Sequence, residues 1–576
     1  MDSRTAAHAL SQIAAYLELS GANSFKCRAY AGAARGLQAL GADDLAPLLH
    51  SGELANVRGL GPATLSVVRD LVESGESRYL EQLRLETPEG LLEMLDVPGL
   101  TPARIHQIYE TLNISTLEEL EAAALDGRLA TLPKLGDKTA KKILQGIAAA
   151  RTRGTLRRYP HALVEAQPLL AAVQSHPDVE HAELAGELRR HMDVVGSVDI
   201  AAACRDNPQA IAQSFTRLPG VRTCTGDGAR VEIQFVDGAR LNLWCVPPSA
   251  FGLALWQLTG SAEHVAQVTE RLRAGGVTID ADTLRDRAGA AIPTPHEADV
   301  YAAAHLPLIP PELREGTDEV AVAANGALPT LLLPSDIRGV LHCHSTYSDG
   351  KATIAEMANA ARARWWSYIG ITDHSQAAFY AGGLKHDEVL AQHDEIDALN
   401  ATFTDFRILK GIEADILADG QLDYDDTLLA RFDFVVGSIH SRFSMDRSTM
   451  TARVLRAMDD PHLTILAHPT GRLLLTREPY AIDLDAVLEK AAAQRIAVEL
   501  NADPHRLDLD WRYLHQAKKL GVVIEIGPDA HSTKGLDNTD IGVGIARKGW
   551  LEASDVLNTR SAGDVIAFAR ARRERH

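Results

Sequence analysis

Cysteine is scarce in this chain: five occur in 576 residues, at positions 27, 204, 224, 245 and 343, and none lies in a CxxC pair. That argues against a disulfide-stapled scaffold, and so few unpaired thiols fit a reducing compartment. Long uncharged apolar runs are also missing, so no segment has the length and composition of a transmembrane helix. The first residues, MDSRTAAHALSQIAAYLELSG, carry charge inside the apolar pattern and lack a signal-peptide layout. The expected location is cytoplasmic, with no membrane partner. An excess of basic residues is absent as well: 58 Lys and Arg against 77 Asp and Glu give a net charge of -19 and a pI of about 5.6. A protein basic all over is excluded, so any contact with a polyanion must come from local patches or backbone amides. What remains is 46% apolar residues over a length of several domains, ample for more than one core.

Against this background nine residues of metal-ligand type stand out: His342, His344, Asp349, His374, Glu413, His440, His468, Asp529 and His531. They sit in VLHCHSTYSDG, GITDHS, KGIEADI, VGSIHSRF, LAHPTGR and GPDAHS, most of which read as a short apolar strand running into a polar turn. Side chains at strand ends can converge on one point, and imidazoles mixed with carboxylates suit Mn, Zn or Fe better than Mg or Ca. The expectation is a multinuclear metal site. Cys343, between two of the histidines, should point away from them by strand alternation.

These motifs resemble the PHP (polymerase and histidinol phosphatase) family of metal-dependent phosphoesterases, over roughly residues 335 to 570. The resemblance implies a distorted (β/α)7 barrel with three divalent ions at the C-terminal ends of its strands. It assigns His342, His344, Glu413 and Asp529 to the first ion, Glu413, His440 and His468 to the second, and Asp349, His374 and His531 to the third. Mn2+ is the expected ion, with Zn2+ or Fe as alternatives. Glu413, His440 and Asp349 receive the catalytic roles, with Glu413 as the bridge between two ions. Two metals sharing a carboxylate favour phosphoester hydrolysis.

The first 160 residues carry a second pattern. NVRGLGPATLSVVRDLV, DVPGLTPARIHQIYETL and TLPKLGDKTAKKILQGI each place an apolar residue before a tight glycine-containing turn and a helix start. Backbone amides at a helix N-terminus hold phosphate without reading sequence. The three copies resemble helix-hairpin-helix motifs, which implies DNA contact at Gly59, Gly61, Gly99, Lys134, Gly136 and Lys138. The third copy has Lys134 where the first turn glycine usually stands, in a basic stretch that runs on through Lys141, Lys142, Arg151, Arg153, Arg157 and Arg158.

Between the two ends, AELAGELRRHMDVVGSVDIAA, ARLNLWCVPP and ALWQLTGSAEH resemble the palm of family X DNA polymerases, and the order of domains is similar to that of the bacterial and archaeal PolX family, over nearly the full length. The palm departs from the family pattern where the metal-binding carboxylates should stand. Only Asp199 remains; Ser197 and Asn242 occupy the other two acidic positions, Glu187 replaces a triphosphate-contacting Ser, and Arg189 and Arg190 are kept. Glu76 likewise stands where relatives with lyase chemistry carry an imine-forming lysine, and a carboxylate forms no imine.

The fold expected is therefore multi-domain: an all-α helix-hairpin-helix region, an α+β nucleotidyltransferase-like palm and an α/β PHP barrel. Boundaries are expected at 1–85 (helical, DNA-binding), 86–158 (fingers-like), 159–315 (palm and thumb), 316–334 (a linker rich in Pro and Gly) and 335–576 (barrel). Three functions stay open. One is a DNA-repair, end-processing 3′–5′ exonuclease, with AP endonuclease or 3′-phosphatase action as variants and polymerase activity lost or weak. The second is an active gap-filling polymerase with a PHP exonuclease, and the third a small-molecule phosphatase or non-catalytic scaffold. The first is preferred, acting as a nucleoid-associated monomer on gapped, nicked or 3′-ended DNA.

Overall fold

The computed structural model describes residues 3–42, 44–74, 77, 79–80, 83, 91, 94–97, 100–115, 117–132, 135–136, 139–144, 146–147, 156–218, 221–226, 228–235 and 239–574. Gly99, Lys134, Lys138, Glu76, Arg151 and Arg153 lie outside them. The chain divides into two compact units, Met1–Gly154 and Thr155–His576.

The first unit is helical. Ser24–Leu40 starts where the Asn23 side chain accepts from the Phe25 amide and stops at Gly41, which is left-handed, the usual chemistry of the two helix ends. With Ser3–Leu19 and Pro62–Ser74 it closes around Leu10, Ile13, Leu37 and Val68. A second cluster gathers Ile105, Ile108, Leu120 and Ile143, and Leu19 of the first helix joins it. His106 Nδ1 lies 3.0 Å from the Leu19 carbonyl. The two helical segments expected on either side of residue 85 thus share packing.

In the second unit a five-stranded sheet runs in the spatial order Val179–Leu184, Val198–Cys204, Arg240–Val246, Arg230–Phe235, Val221–Thr225. Every residue of the interior strand Val198–Cys204 is buried, because its alternating side chains meet helices on both faces. Ile200 and Ala202 pack with Ala162 and Ala166 of Tyr159–Gln174; Ala201 and Ala203 pack with Phe251 and Ala254 of Phe251–Thr259. Parallel register places Asp199 beside Asn242.

Residues from 339 onward form a barrel of parallel strands: Gly339–Val340, Tyr368–Ile371 and Arg407–Lys410 in one sheet, then Glu413–Asp415, Val435–Ser438, Leu463–Leu466, Ala497–Asn501 and Ile524–Gly527 in another. The break between Lys410 and Glu413 splits one strand, so seven strand positions are filled. Bridges from His374 to Glu413 and from Cys343 to Ala530 close the ring, and these are the ends that carry the metal-type residues. Cys343 lies in the core with Val340, Ile354 and Met357, turned away from its neighbours as alternation requires. Among the described residues no helix is long and apolar enough to cross a membrane.

The stretch 316–334 is not a free connector. It carries the helix Glu319–Ala324, and buried Glu319 accepts from His264 at 2.6 Å. Leu332 donates its amide to the Leu551 carbonyl of the barrel at 2.9 Å. Composition signalled a loop, but buried polar pairs hold it down. Sheet and barrel therefore belong to one compact unit, joined further by Arg547–Glu312 at 2.7 Å and by Lys548–Glu315.

Candidate metal centre

Five of the nine metal-type residues meet at one carboxylate. Glu413 opens the second half of the broken strand and is buried; His374 Nδ1 lies 2.8 Å from it, His468 Nε2 3.1 Å, His440 Nε2 3.2 Å and His342 Nε2 3.5 Å. His344 Nε2 stands 3.6 Å from Glu413 and 3.4 Å from Asp529. Asp349 lies 3.5 Å from His374 and 3.3 Å from His531. Three overlapping groups bring donor atoms within 4.8 Å of one another: His344, Asp349, His374 and His531; His342, His344 and Asp529; His374, Glu413 and His440. All nine positions singled out in the sequence thus converge. The grouping differs in detail from the expected one: His344 also joins the Asp349 group, and His374 stands closer to Glu413 than His468 does.

A layer of acceptors that sequence reasoning missed fixes the rings. Asp415 holds His440 Nδ1 at 2.6 Å and Glu499 holds His342 Nδ1 at 2.5 Å, turning each Nε2 toward Glu413. Such partners set the tautomer of a ligating imidazole. Glu499 Oε2 also accepts the His468 amide at 2.6 Å, and it fits only because residue 527 is glycine: a Cβ there would lie 2.0 Å from Glu499 Oε1. Asp415 and Glu499 were legible in principle. Asp415 shares a strand face with Glu413 two residues earlier, and Glu499 is a lone acid inside an apolar strand.

Electrostatics of the protein alone mark the cluster as a cation site. Burial opposes charging of His374, but Glu413 and Asp349 outweigh it and push its pKa up to about 10. Burial likewise works against His440 and His531, yet Glu413 and Asp415 raise the first to about 9, and Asp349 and Asp529 do the same for the second. Buried His344, beside the charged His374, falls to about 3. Glu413 is held well below the carboxylate range despite its burial by His374, His440 and His342. Carboxylates that hold protons on imidazoles in the bare protein offer the same positions to divalent ions. The donor set is one that binds divalent metal.

The palm residues form a different kind of site. Asp199 accepts from Asn242 Nδ2 at 2.6 Å and from Ser197 Oγ at 3.0 Å, and burial raises its pKa to about 6. Glu187 accepts the Gly196 amide at 2.6 Å. Arg189 pairs with Glu297 at 2.7 Å and Arg190 with Glu315 at 2.8 Å. The three positions where carboxylates would be needed now hold one carboxyl, one amide and one hydroxyl that satisfy each other, and both arginines are engaged internally.

In the first unit the turn before Pro62–Ser74 is built on Gly59, whose φ is +96° and whose added Cβ would lie 2.7 Å from the Gly32 carbonyl. Gly61 has open space around it, and its amide donates to Thr64 Oγ1 at 2.9 Å. Thr101 caps Pro102–Leu112 in the second copy. In the third, the Gly136 carbonyl accepts from Thr139 and Ala140 as the next helix begins.

Comparison with known proteins agrees with this layout. A PHP domain matches residues 341–503, a DNA polymerase beta thumb residues 254–315, a helix-hairpin-helix domain residues 1–77 and a SAM-like helix-hairpin-helix tandem residues 91–149. The DNA polymerase/3′-5′ exonuclease PolX of Bacillus subtilis is 37% identical over 97% of this chain and 98% of its own length. The chain belongs to the PolX family, family X DNA polymerases with a C-terminal PHP domain. Other relatives share less of it: a probable phosphatase of Syntrophotalea carbinolica is 32% identical over 28% of this chain and 64% of its own length, and one of Caldanaerobacter subterraneus 28% identical over 42% and 94%. The helix-hairpin-helix domains and the family support DNA binding, and the PHP domain supports a hydrolase.

Proposed function

We propose that this chain processes DNA ends by hydrolysing phosphoesters in its barrel, as a 3′–5′ exonuclease, and that its palm no longer polymerises. The observation that carries the reading is the position of Glu413 among five imidazoles, with two further donor groups adjoining. Three divalent ions fit: His342, His344, Asp529 and Glu413 would hold one, Glu413, His440 and His468 the second, and Asp349, His374 and His531 the third, with Mn2+ first among the candidates and His344 and His374 placed to reach a neighbouring ion. When bound, such ions activate water and offset charge on the transferring phosphoryl group. Glu413 supplies the shared negative charge, while Asp415 and Glu499 accept the Nδ1–H of His440 and His342 and leave their Nε2 atoms aimed inward, the ring nitrogens that would give up their protons to an ion.

The palm supports loss of synthesis on chemical grounds. An amide and a hydroxyl lack the charge that two ions require, Asn242 and Ser197 already cap the one carboxylate, and Glu187 would face a triphosphate with its own charge. The competing reading, a working polymerase, draws on the activity for which the Bacillus subtilis relative is named. The hairpin motifs favour a DNA substrate with a 3′ end, gapped or nicked, over a small phosphate ester, and we take the protein to act as a cytoplasmic, nucleoid-associated monomer. Labelled primer-template with and without dNTPs, in Mn2+ and in Mg2+, tests both readings: shortening without extension is expected, and efficient extension would overturn the assignment of the palm.

A further inference from the structure

Two buried or half-buried arginines follow the barrel strands near the metal centre, and their surroundings differ in an informative way. Arg472 is saturated. Its Nε donates to the Arg506 carbonyl at 2.9 Å, its Nη1 to Asp510 at 2.5 Å and its Nη2 to the Leu507 carbonyl, while Asp193 of the palm lies 3.3 Å from Nη2. Arg472 and Asp193 are both buried. This guanidinium is a fastener with nothing left for a ligand.

Arg506 is the opposite case. Its Nε stands 3.5 Å from Asp529 Oδ2, its side chain is 21% exposed, and its Nη groups make no hydrogen bond among the described residues. Asp529 is divided between two duties: Oδ1 faces His342 and His344 at 3.6 and 3.4 Å, while Oδ2 receives Asn501 Nδ2 at 3.1 Å and faces Arg506. Arg506 is also near enough to Glu413 and Asp503 for their charges to act on it, and Arg477 is near enough to be repelled by it. A second cation beside a guanidinium whose planar fork is unused is an arrangement that an oxyanion relieves.

We propose that Arg506 grips the substrate phosphate at the barrel site, and that the palm holds it in register through Asp193, Arg472 and the Arg506 carbonyl. The proposal rests on the phosphoesterase reading above and gives the palm a task there: Asp193 and Arg472 act as positioning residues. A fixed cation at the position where charge develops stabilises the transition state. The anchor is itself well tied, because the Asp193 carbonyl accepts the Tyr159 amide at 3.2 Å and Lys548 of the barrel donates to the Arg190 carbonyl at 3.1 Å.

The test uses the full-length protein loaded with Mn2+, and thymidine 5′-monophosphate as a binding probe. Arg506→Ala should bind Mn2+ as the wild type does, bind the nucleotide about tenfold more weakly, and lose about 100-fold in kcat/KM on 3′-ended DNA, the scale of one lost anion-stabilising donor. Arg506→Lys should recover part of the loss, and added guanidinium should rescue Arg506→Ala. Asp193→Asn, which keeps shape and folding, should weaken nucleotide binding in the same direction by a smaller factor. Unchanged nucleotide affinity in Arg506→Ala, or a loss that only follows lost metal, would overturn the role of Arg506. Unchanged affinity in Asp193→Asn would overturn that of the palm. A wild-type protein that cuts no DNA would defeat the nuclease reading alone, since the nucleotide affinities still decide the role of Arg506.

Discussion

Asn242 donates its side-chain amide to Asp199 across 2.6 Å, joining the two strand positions where a polymerase palm needs a pair of negative charges. One carboxyl closed off by an amide cannot hold two divalent ions. Template-directed synthesis by the unmodified chain should be absent or very weak. Ser197→Asp with Asn242→Asp should still fail while Glu187 keeps its hydrogen bond to Gly196, and Glu187→Ser is the further change to combine with them. Primer extension with dNTPs in Mn2+ reads this; efficient incorporation by the wild type contradicts it.

The same carboxyl has a stability signature. Burial raises the Asp199 pKa from 3.8 to about 6 against the hydrogen bonds from Asn242 and Ser197. Its folded pKa exceeds the unfolded one, so the folded state holds its proton more tightly, and the associated stability is full below pH 4 and lost as pH rises to about 6. Above that the ionised group costs at most about 3 kcal/mol. Asp199→Asn should remove this slope and raise the stability at pH 7.5, as urea unfolding at pH 4 and 7.5 would measure. An equal pH slope in both proteins contradicts the assignment.

Metal loading should expel protons. In the bare protein His374, His440 and His531 are charged at pH 7, with pKa values raised to about 10, 9 and 9. His342 is likewise held well above the ordinary imidazole range by Glu499, Asp529 and Glu413, so binding of Mn2+ releases up to about four protons, and affinity rises with pH toward 9. Calorimetric titration in two buffers of different ionisation enthalpy reports the number. Removing the ions with a chelator should lower the melting temperature of the barrel. Buffer-independent heats would mean the imidazoles are neutral beforehand.

The hairpin turns separate fold from contact. Gly59→Ala places a Cβ at positive φ and 2.7 Å from the Gly32 carbonyl, so it should destabilise the first unit, by about 1–3 kcal/mol for the strained backbone. Gly61→Ala meets nothing within 4 Å and should fold normally while binding DNA more weakly, because its methyl group stands where a phosphate must approach. Salt-dependent fluorescence anisotropy with unrelated duplexes should show little sequence preference. Wild-type affinity in Gly61→Ala would return the turn to a purely structural role.

Legibility in the sequence followed the range of the interactions. The metal-type residues stand in contiguous motifs at strand ends, so His342, His374 and Asp529 could be picked out one segment at a time and their convergence anticipated from the parallel barrel. Arg472 and Arg506 could not, because their partners come from strands or domains far along the chain. The stretch 316–334 misled for the same reason: its Pro and Gly content is local, while the pairing of Glu319 with His264 and of Leu332 with Leu551 is not. Ser197, Asn242 and Glu187 were legible as departures from a pattern, but their mutual hydrogen bonds required the sheet register.

The central claim is that Glu413 is the charge shared by the ions that cut DNA. Its most direct test is nuclease activity on 5′-labelled, 3′-ended DNA by Glu413→Ala, alongside Mn2+ content and a folding check. The predicted result is a folded protein that has lost metal and several orders of magnitude in rate, with His440→Ala and His344→Ala behaving alike. A folded Glu413→Ala protein that cuts at the wild-type rate would contradict the account.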